Sequence, residues 1–343
     1  MRPFLLLLAI FAGSRAVAGE WKRLPSLPDK EGFAGPFAGV GNGALLVAGG
    51  ANFPDKKPWE GGKKVWSDAI FLLEKPDGVW KIVGRLPRPL GYGVSATYAG
   101  GVVCVGGSDG VHHYADAFRL DWRSGKLITT PLPSLPKPLA NACGALVGDV
   151  LYIAGGQEKP EAAAALKTVY RIDLSAAEPK WKEIEAWPGC GRILAVSASV
   201  DGTFFLVGGV QLVIGKGEKV ERRYLKDAYR YDPDNGWRRL PDAPRPVAAA
   251  PSPAPTDASG FFILGGDDGS QVGLAPDRHR GFGKKTFRFD SKSEKWAEAG
   301  ETPAPRATVP CAFWDKSWVT PGGEVRPGVR SPEVWSFTPT EKK

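Results

Sequence analysis

A pair of adjacent glycines closes a short apolar run six times in this chain: Gly49-Gly50, Gly106-Gly107, Gly155-Gly156, Gly208-Gly209, Gly265-Gly266 and Gly322-Gly323. The pairs stand 57, 49, 53, 57 and 57 residues apart. A unit of that length with strand patterns inside it cannot bury its own apolar faces, so such units stack on one another, as the blades of a propeller do. Composition suits many short strands joined by turns: 44 glycines and 31 prolines occur in 343 residues, without the long polar low-complexity tract that would signal disorder. A closed all-β fold of this length commonly forms one domain.

Each unit repeats one internal order. A strand rich in small residues comes first, as in Gly91-Tyr92-Gly93-Val94-Ser95-Ala96. A tight turn follows (Gly100-Gly101, Gly148-Asp149, Asp201-Gly202), and then a hydrophobic strand ends in the glycine pair, as in Leu151-Tyr152-Ile153-Ala154. The third strand alternates aromatic and polar residues, as in Ala228-Tyr229-Arg230-Tyr231-Asp232. The fourth carries a tryptophan before a proline-containing exit at Trp80, Trp181, Trp237 and Trp296; the second unit has Leu127 near that position instead. This recurring order resembles the Kelch repeat, and the resemblance covers nearly all of residues 19–343. It implies an all-β, six-bladed Kelch-type β-propeller of four-stranded antiparallel blades in a single domain. The sixth unit stops after its third strand, Glu333-Val334-Trp335-Ser336-Phe337, and the missing tryptophan strand stands at the other terminus, in Glu20-Trp21-Lys22-Arg23-Leu24-Pro25. The N-terminal strand is therefore expected to complete the last blade, which ties the termini together and removes two exposed edges.

Ahead of that strand, Arg2, the apolar run at residues 4–11 and the small-x-small pattern Ala16-Val17-Ala18 read as a signal peptide over residues 1–18. The run is too short to span a bilayer, so the chain is expected to be exported, to the periplasm or beyond, without membrane insertion. Export permits disulfides, but Cys104, Cys143 and Cys311 fall in buried-strand patterns and Cys190 in a turn between units, which favours free buried thiols. The formal charge is +8, or +6 without Arg2 and Arg15, a mild bias toward acidic ligands. No basic run with interleaved aromatics is present, which argues against a nucleic-acid partner. Nothing in the sequence decides for or against a homodimer.

In a four-stranded meander with strands a to d from the axis outward, the b–c and d–a connections emerge on one face. The long b–c connections span residues 51–66, 210–226, 267–285 and 324–331, and the d–a connections add Arg88, Arg245 and Arg306, with Arg192 entering strand a of blade four. Long loops on a rigid scaffold are where binding and catalysis concentrate. Within them Trp59 and Trp66 are expected to pack rather than to stack on a sugar, Asp267-Asp268-Gly269 reads equally as a turn or as a hydroxyl contact, and His279 reads as an exposed loop histidine.

The segment Pro321-Gly322-Gly323-Glu324-Val325-Arg326-Pro327-Gly328-Val329-Arg330 resembles the Gly-Glu-x-x-Pro-Gly-x-Arg stretch of the N-acetylneuraminate epimerases (sialic acid mutarotases). Gly49-Gly50-Ala51-Asn52-Phe53-Pro54 with Gly61-Gly62-Lys63-Lys64-Val65-Trp66-Ser67-Asp68 is similar to a loop of the same family, and so is Arg88-Pro89-Leu90-Gly91-Tyr92-Gly93-Val94-Ser95. Relative to the better-known bacterial members the blade order is cyclically shifted, which a ring tolerates because each blade keeps its neighbours. The resemblance implies an isomerase acting on a small sugar acid. Interconverting the α and β anomers needs a general base and acid but no metal or redox cofactor. It also implies Glu324 as the proton acceptor and Arg330 as a planar fork for the substrate carboxylate. Arg88, Asn52, Arg192, Arg306 and Asp268 stand on the same face as further candidate substrate contacts, which the resemblance does not itself assign.

Bland readings stand beside these. Glu324 and Arg330 are six apart in one loop and could simply pair with each other; Asn52 could only cap a turn. A sialate- or glycan-binding propeller without turnover, and a protein-interaction Kelch scaffold, are the alternative functions, since one fold hosts many. A copper oxidase on a related propeller is disfavoured, because the histidines are only three, His112, His113 and His279, two of them adjacent.

Overall fold

The computed structural model describes residues 18–340. The signal segment expected over residues 1–18 lies outside the described residues except for Ala18, which opens a strand. Six four-stranded antiparallel sheets follow one another along the chain and close into a six-bladed propeller. In blade one, strands a to d are Phe37–Gly41, Ala44–Ala48, Ala69–Leu73 and Lys81–Arg85. Blade six takes its first three strands from Ala312–Trp314, Ser317–Pro321 and Val334–Thr340, and its outer strand from Ala18–Leu24. The register sets Trp21 opposite Phe337 and Leu24 opposite Val334, with the Trp21 and Phe337 rings 4.8 Å apart. The closure expected from the two chain ends is the one observed.

The second strands read as unbroken apolar runs because both faces are covered: Ala44–Ala48, Gly101–Val105, Val150–Ala154, Thr203–Val207 and Gly260–Leu264. Each blade presses one face on the blade before it and the other on the blade after it. Phe205 of blade four thus packs against Phe261 and Phe289 of blade five, with ring centroids 5.2 and 6.1 Å away. Burying each of those rings is worth about 1.5–3 kcal/mol. The fourth-strand tryptophans join neighbouring blades by a hydrogen bond as well. The indoles of Trp80, Trp181, Trp237 and Trp296 donate to Pro25 O, Pro133 O, Glu185 O and Pro241 O, just past strand d of the preceding blade, at 2.8, 2.7, 2.7 and 3.0 Å. Leu127, in the second blade, has no such donor to offer. All four cysteines are free; Cys104, Cys143 and Cys311 are buried, while Cys190 is only half-buried. Burial pushes the Cys143 thiol up to about 12.

The glycine pairs have a structural cause that blade three illustrates. Gly155 has φ 70° and Gly156 φ 95°, both in the left-handed region. The Gly156 N–H donates to Arg192 O of the next blade at 2.8 Å, and a Cβ on Gly155 would lie 2.3 Å from that same oxygen. The second glycine of every other pair makes the equivalent bond, to Leu90, Leu139, Val247, Arg306 and Phe33. The residue two positions after each acceptor then contributes to a closed collar around the axis. Tyr92 donates to Gly35, Asn141 to Tyr92, Leu194 to Asn141, Ala249 to Leu194, Thr308 to Ala249 and Gly35 to Thr308, through backbone bonds of 2.7–2.9 Å. Five collar residues are not glycine yet have positive φ: Tyr92, Asn141, Leu194, Ala249 and Thr308, at 49–61°. Such conformations cost about 1 kcal/mol or more each and persist where surrounding bonds over-determine them. Here the cyclic hydrogen-bond ring does so.

Candidate active site

Above the collar, on the face carrying the b–c connections, opens a cavity of about 580 Å³, within the size range of small-molecule sites. Tyr92, Asn141, Leu194 and Thr308 of the collar form its floor. The residue immediately after each glycine pair bridges to the strand entry beside the collar, at Ala51, Ser108, Gln157, Val210, Asp267 and Glu324. This places Ser108, Gln157 and Glu324 at the cavity wall. The b–c connections of blades one and four are capped by hairpins, Ala51–Asn52 with Val65–Trp66 and Val210–Ile214 with Val220–Tyr224, which bring Lys64, Trp66, Leu212, Val220 and Arg222 to the cavity.

Glu324 opens the short hairpin Glu324–Arg326 with Val329–Arg330, in which it lies directly opposite Arg330. Its Oε1 forms an ion pair with Arg330 Nη1 at 2.7 Å, and the two side chains are 17% and 3% exposed. The guanidinium is held on every side: Nε donates to Ala51 O at 3.3 Å, Nη2 to the Tyr92 hydroxyl at 3.4 Å, and its carbon lies 4.9 Å from the centre of the Phe53 ring. Burial lifts the Glu324 carboxyl above the ordinary carboxylate range, against the pull of Arg330, Lys64 and Arg222. Glu324 is thus a carboxyl that accepts and releases a proton closer to neutrality than a solvated one, fixed in direction by a buried cation. The ion pair expected as the bland alternative does form. It points Glu324 at the cavity and also occupies Arg330, so the fork expected to grip a substrate carboxylate is already spent on protein partners.

The remaining expected contacts lie elsewhere. Arg192 is fully buried and grips Asp227 with both ends of its fork, at 2.9 and 2.8 Å, between Trp187 and Tyr229. Arg306 is buried against Glu333 at 2.6 Å and Ser331 at 3.2 Å. Both occupy the position whose carbonyl accepts the glycine N–H, filled in the other blades by Leu90, Leu139, Val247 and Phe33. A side chain there enters the packing between elements, so these two arginines hold the fold together and do not line the cavity. Arg88 pairs with Asp116 at 3.2 Å and stacks 4.3 Å over Tyr114; it reaches the cavity wall only through the Tyr114 hydroxyl, which donates to Asp109 at 2.5 Å. Asn52 is buried and donates to Asp29 at 3.2 Å. Asp268 caps its own turn by accepting from the Ser270 N–H and hydroxyl at 2.9 and 2.6 Å, and faces a separate pocket with Gln271 and Arg280. The blade-five connection contributes none of the large cavity's lining. His279, expected in solvent, is buried; its Nδ1 accepts from the Gly281 N–H and its ring lies 5.4 Å from Phe282.

Blades two and three supply residues that sequence reasoning passed over. His113, Asp109, Gln157 and Glu161 line the cavity, and among the described residues neither nitrogen of the buried His113 ring has a hydrogen-bond partner. Trp66, expected to pack, instead lines the cavity with its indole N–H unpartnered, as is the Thr308 hydroxyl. Aligning the six units on their glycine pairs would have pointed to Ser108 and Gln157, which share the position of Glu324; His113 carries no such mark.

The sequence profile of the N-acetylneuraminate epimerase family matches residues 13–129 and 132–273. An N-acetylneuraminate epimerase of Haemophilus influenzae (strain 86-028NP) is 30% identical over 229 residues, covering 59% of this chain and 58% of its own length. That of Yersinia enterocolitica is 37% identical over 147 residues, 37% of this chain and 36% of its own, and that of Escherichia coli K12 is 28% identical over 235 residues, 60% of each. The chain thus spans less than two thirds of the length of these relatives. With more than half of its residues matched by the family profile, and the six-bladed ring that its repeats require, the chain belongs to the N-acetylneuraminate epimerase family.

Proposed function

We propose that this chain is an N-acetylneuraminate mutarotase, an isomerase that interconverts the α and β anomers of sialic acid. The observation that carries the proposal is Glu324, a largely buried carboxyl of raised pKa at the cavity wall, oriented by Arg330. The profile match ends at residue 273, before blade six, so the role of Glu324 rests on this geometry and on the Gly-Glu-x-x-Pro-Gly-x-Arg resemblance. Glu324 takes the proton of the anomeric hydroxyl as the bond from C2 to the ring oxygen breaks. Water in the cavity returns a proton to the ring oxygen, and the open-chain keto acid results. Rotation about the bond joining C2 to C3 presents the other face of the carbonyl. The ring hydroxyl then attacks that face and gives its proton back to the same water, while Glu324 returns its own proton to the C2 oxygen. Arg330 acts on Glu324 rather than on the sugar. The apolar run at residues 4–11 and the Ala16-Val17-Ala18 pattern support an exported protein, and among the described residues no helix is long and apolar enough to cross a membrane.

Proton NMR of α-sialic acid freshly released by a sialidase tests the reading. The protein should speed conversion to the β anomer, and Glu324→Gln should lower that rate by about 100-fold or more, the usual scale for a general base, while still binding the sugar. Saturable binding by the wild type with no change in rate would leave a sugar-binding module instead.

A further inference from the structure

The arrangement around Glu324 leaves one requirement of a sugar acid unmet, because Arg330 is committed to protein partners. Two other cations line the cavity, Lys64 of blade one and Arg222 of blade four. Those blades face each other across a six-membered ring, so the two side chains approach from opposite walls. Neither forms an ion pair among the described residues, and the positive fields of both reach Glu324. The Lys64 ammonium sits 5.1 Å from the centre of the Trp66 ring and 4.8 Å from that of Tyr92, a placement that steadies a cation without neutralising it. The far walls differ in character. Blades two and three present Asp109 and Glu161, which repel an anion, together with Gln157 and the unpartnered ring of His113. Burial holds that imidazole below its ordinary pKa, against the pull of the nearby carboxylates Glu161 and Asp109.

We infer that Lys64 and Arg222 form the carboxylate clamp of the cavity, holding the anionic end of the sugar acid beside Glu324 and turning its uncharged hydroxyl and amide end toward His113 and Gln157. The inference rests on the reading of this cavity as the site where Glu324 acts, and it gives that site a direction. The carboxylate is bonded to the anomeric carbon, so cations that fix it also bring the anomeric hydroxyl to Glu324. In its neutral form an imidazole with both nitrogens unpartnered can donate from one and accept at the other, which matches hydroxyl and amide groups.

The test is a titration of the full chain with N-acetylneuraminic acid and with its C1 methyl ester, which differ at the reacting end by one charge. The wild type should bind the acid roughly 10- to 100-fold more tightly, the scale of hydrogen bonds to a charged group. In the Lys64→Met/Arg222→Met double variant, whose two positions are exposed and outside the core, that preference should vanish while affinity for the ester stays unchanged. His113→Phe should weaken both ligands by the same factor. A double variant that keeps the preference, or weakens acid and ester equally, overturns the clamp. Mutarotation measured in parallel separates the two readings. Acceleration by a wild type whose double variant keeps the preference overturns the clamp and leaves Glu324 standing. Loss of preference without any acceleration supports the clamp and overturns turnover. Failure of the wild type to bind either ligand overturns both.

Discussion

Arg192→Leu separates an arginine that holds the fold from one that holds a ligand. The structure pairs Arg192 with Asp227 through two hydrogen bonds of 2.9 and 2.8 Å and adds a third, from Nη1 to Gly208 O, at 2.8 Å. The arginine side chain is fully buried and the aspartate side chain 18% exposed. Leucine is the residue found at the equivalent place in blades one to two and two to three, as Leu90 and Leu139, so its shape suits the position. What the substitution removes is the partner of a mostly buried carboxylate, a loss that typically costs about 3–5 kcal/mol. Because Asp227 keeps some exposure and the Tyr229 hydroxyl still donates to it at 2.8 Å, the expected loss is at the lower end, about 3 kcal/mol at pH 7. At about 2 °C per kcal/mol for a chain of this size, Tm should fall by roughly 6 °C. The pH dependence has a definite sign. Burial pushes the Asp227 carboxyl up, but the hydrogen bonds and charge of Arg192, with Tyr229, outweigh it and hold it below the ordinary range. Its contribution to stability is therefore complete above the unfolded pKa, about 3.9 for aspartate, and is lost as pH falls through the lower folded value. The gap between wild type and variant should narrow below about pH 4. Urea unfolding at several pH values, beside the Arg192→Leu/Asp227→Asn double variant, measures this; the double variant should recover at least half of the loss. A single variant that loses under about 1 kcal/mol, below the range for a broken buried pair, while its affinity for sialic acid drops tenfold, would show that Arg192 is a ligand after all.

Two further outcomes follow from the same geometry. Arg330→Met removes the nearest cation favouring the ionised form of Glu324; the acid limb of the kcat/KM profile should move to still higher pH, and a profile that moves down or stays put would argue against Glu324 as the base. Gly155→Ala sets a Cβ 2.3 Å from Arg192 O at φ 70°, whereas Gly148→Ala at φ 57° meets nothing within 4 Å. Thermal denaturation should show a loss of about 1 kcal/mol for Gly148→Ala, the backbone term alone, and clearly more for Gly155→Ala; equal losses would remove the clash as the reason for the glycine pair.

The fold was legible because its causes are local and repeated. A glycine pair marks a left-handed turn that, at five of the six pairs, also leaves no room for a Cβ beside the next blade's carbonyl, and six such pairs along one chain allow only a ring or an array. Trp21 at one end and Glu333-Val334-Trp335-Ser336-Phe337 at the other showed which strand closed it. Glu324 was legible for a related reason, since the residue after each glycine pair is carried to the strand entries around the axis. The arginines were not, because a charge in a sequence says nothing about whether an acid waits beside it. Asp227 lies 35 residues from Arg192 and Glu333 27 residues from Arg306; only the return of strand c beside each arginine made them pairs. By the same token, Lys64, Arg222 and His113 are single residues in three different connections, and nothing in their local sequence joins them. The sequence determined a six-bladed ring and the place of one carboxylate upon it. Tertiary structure alone decided which cations are neutralised and which stay free to meet an anion, because ion pairing depends on distances across the ring that no local pattern records.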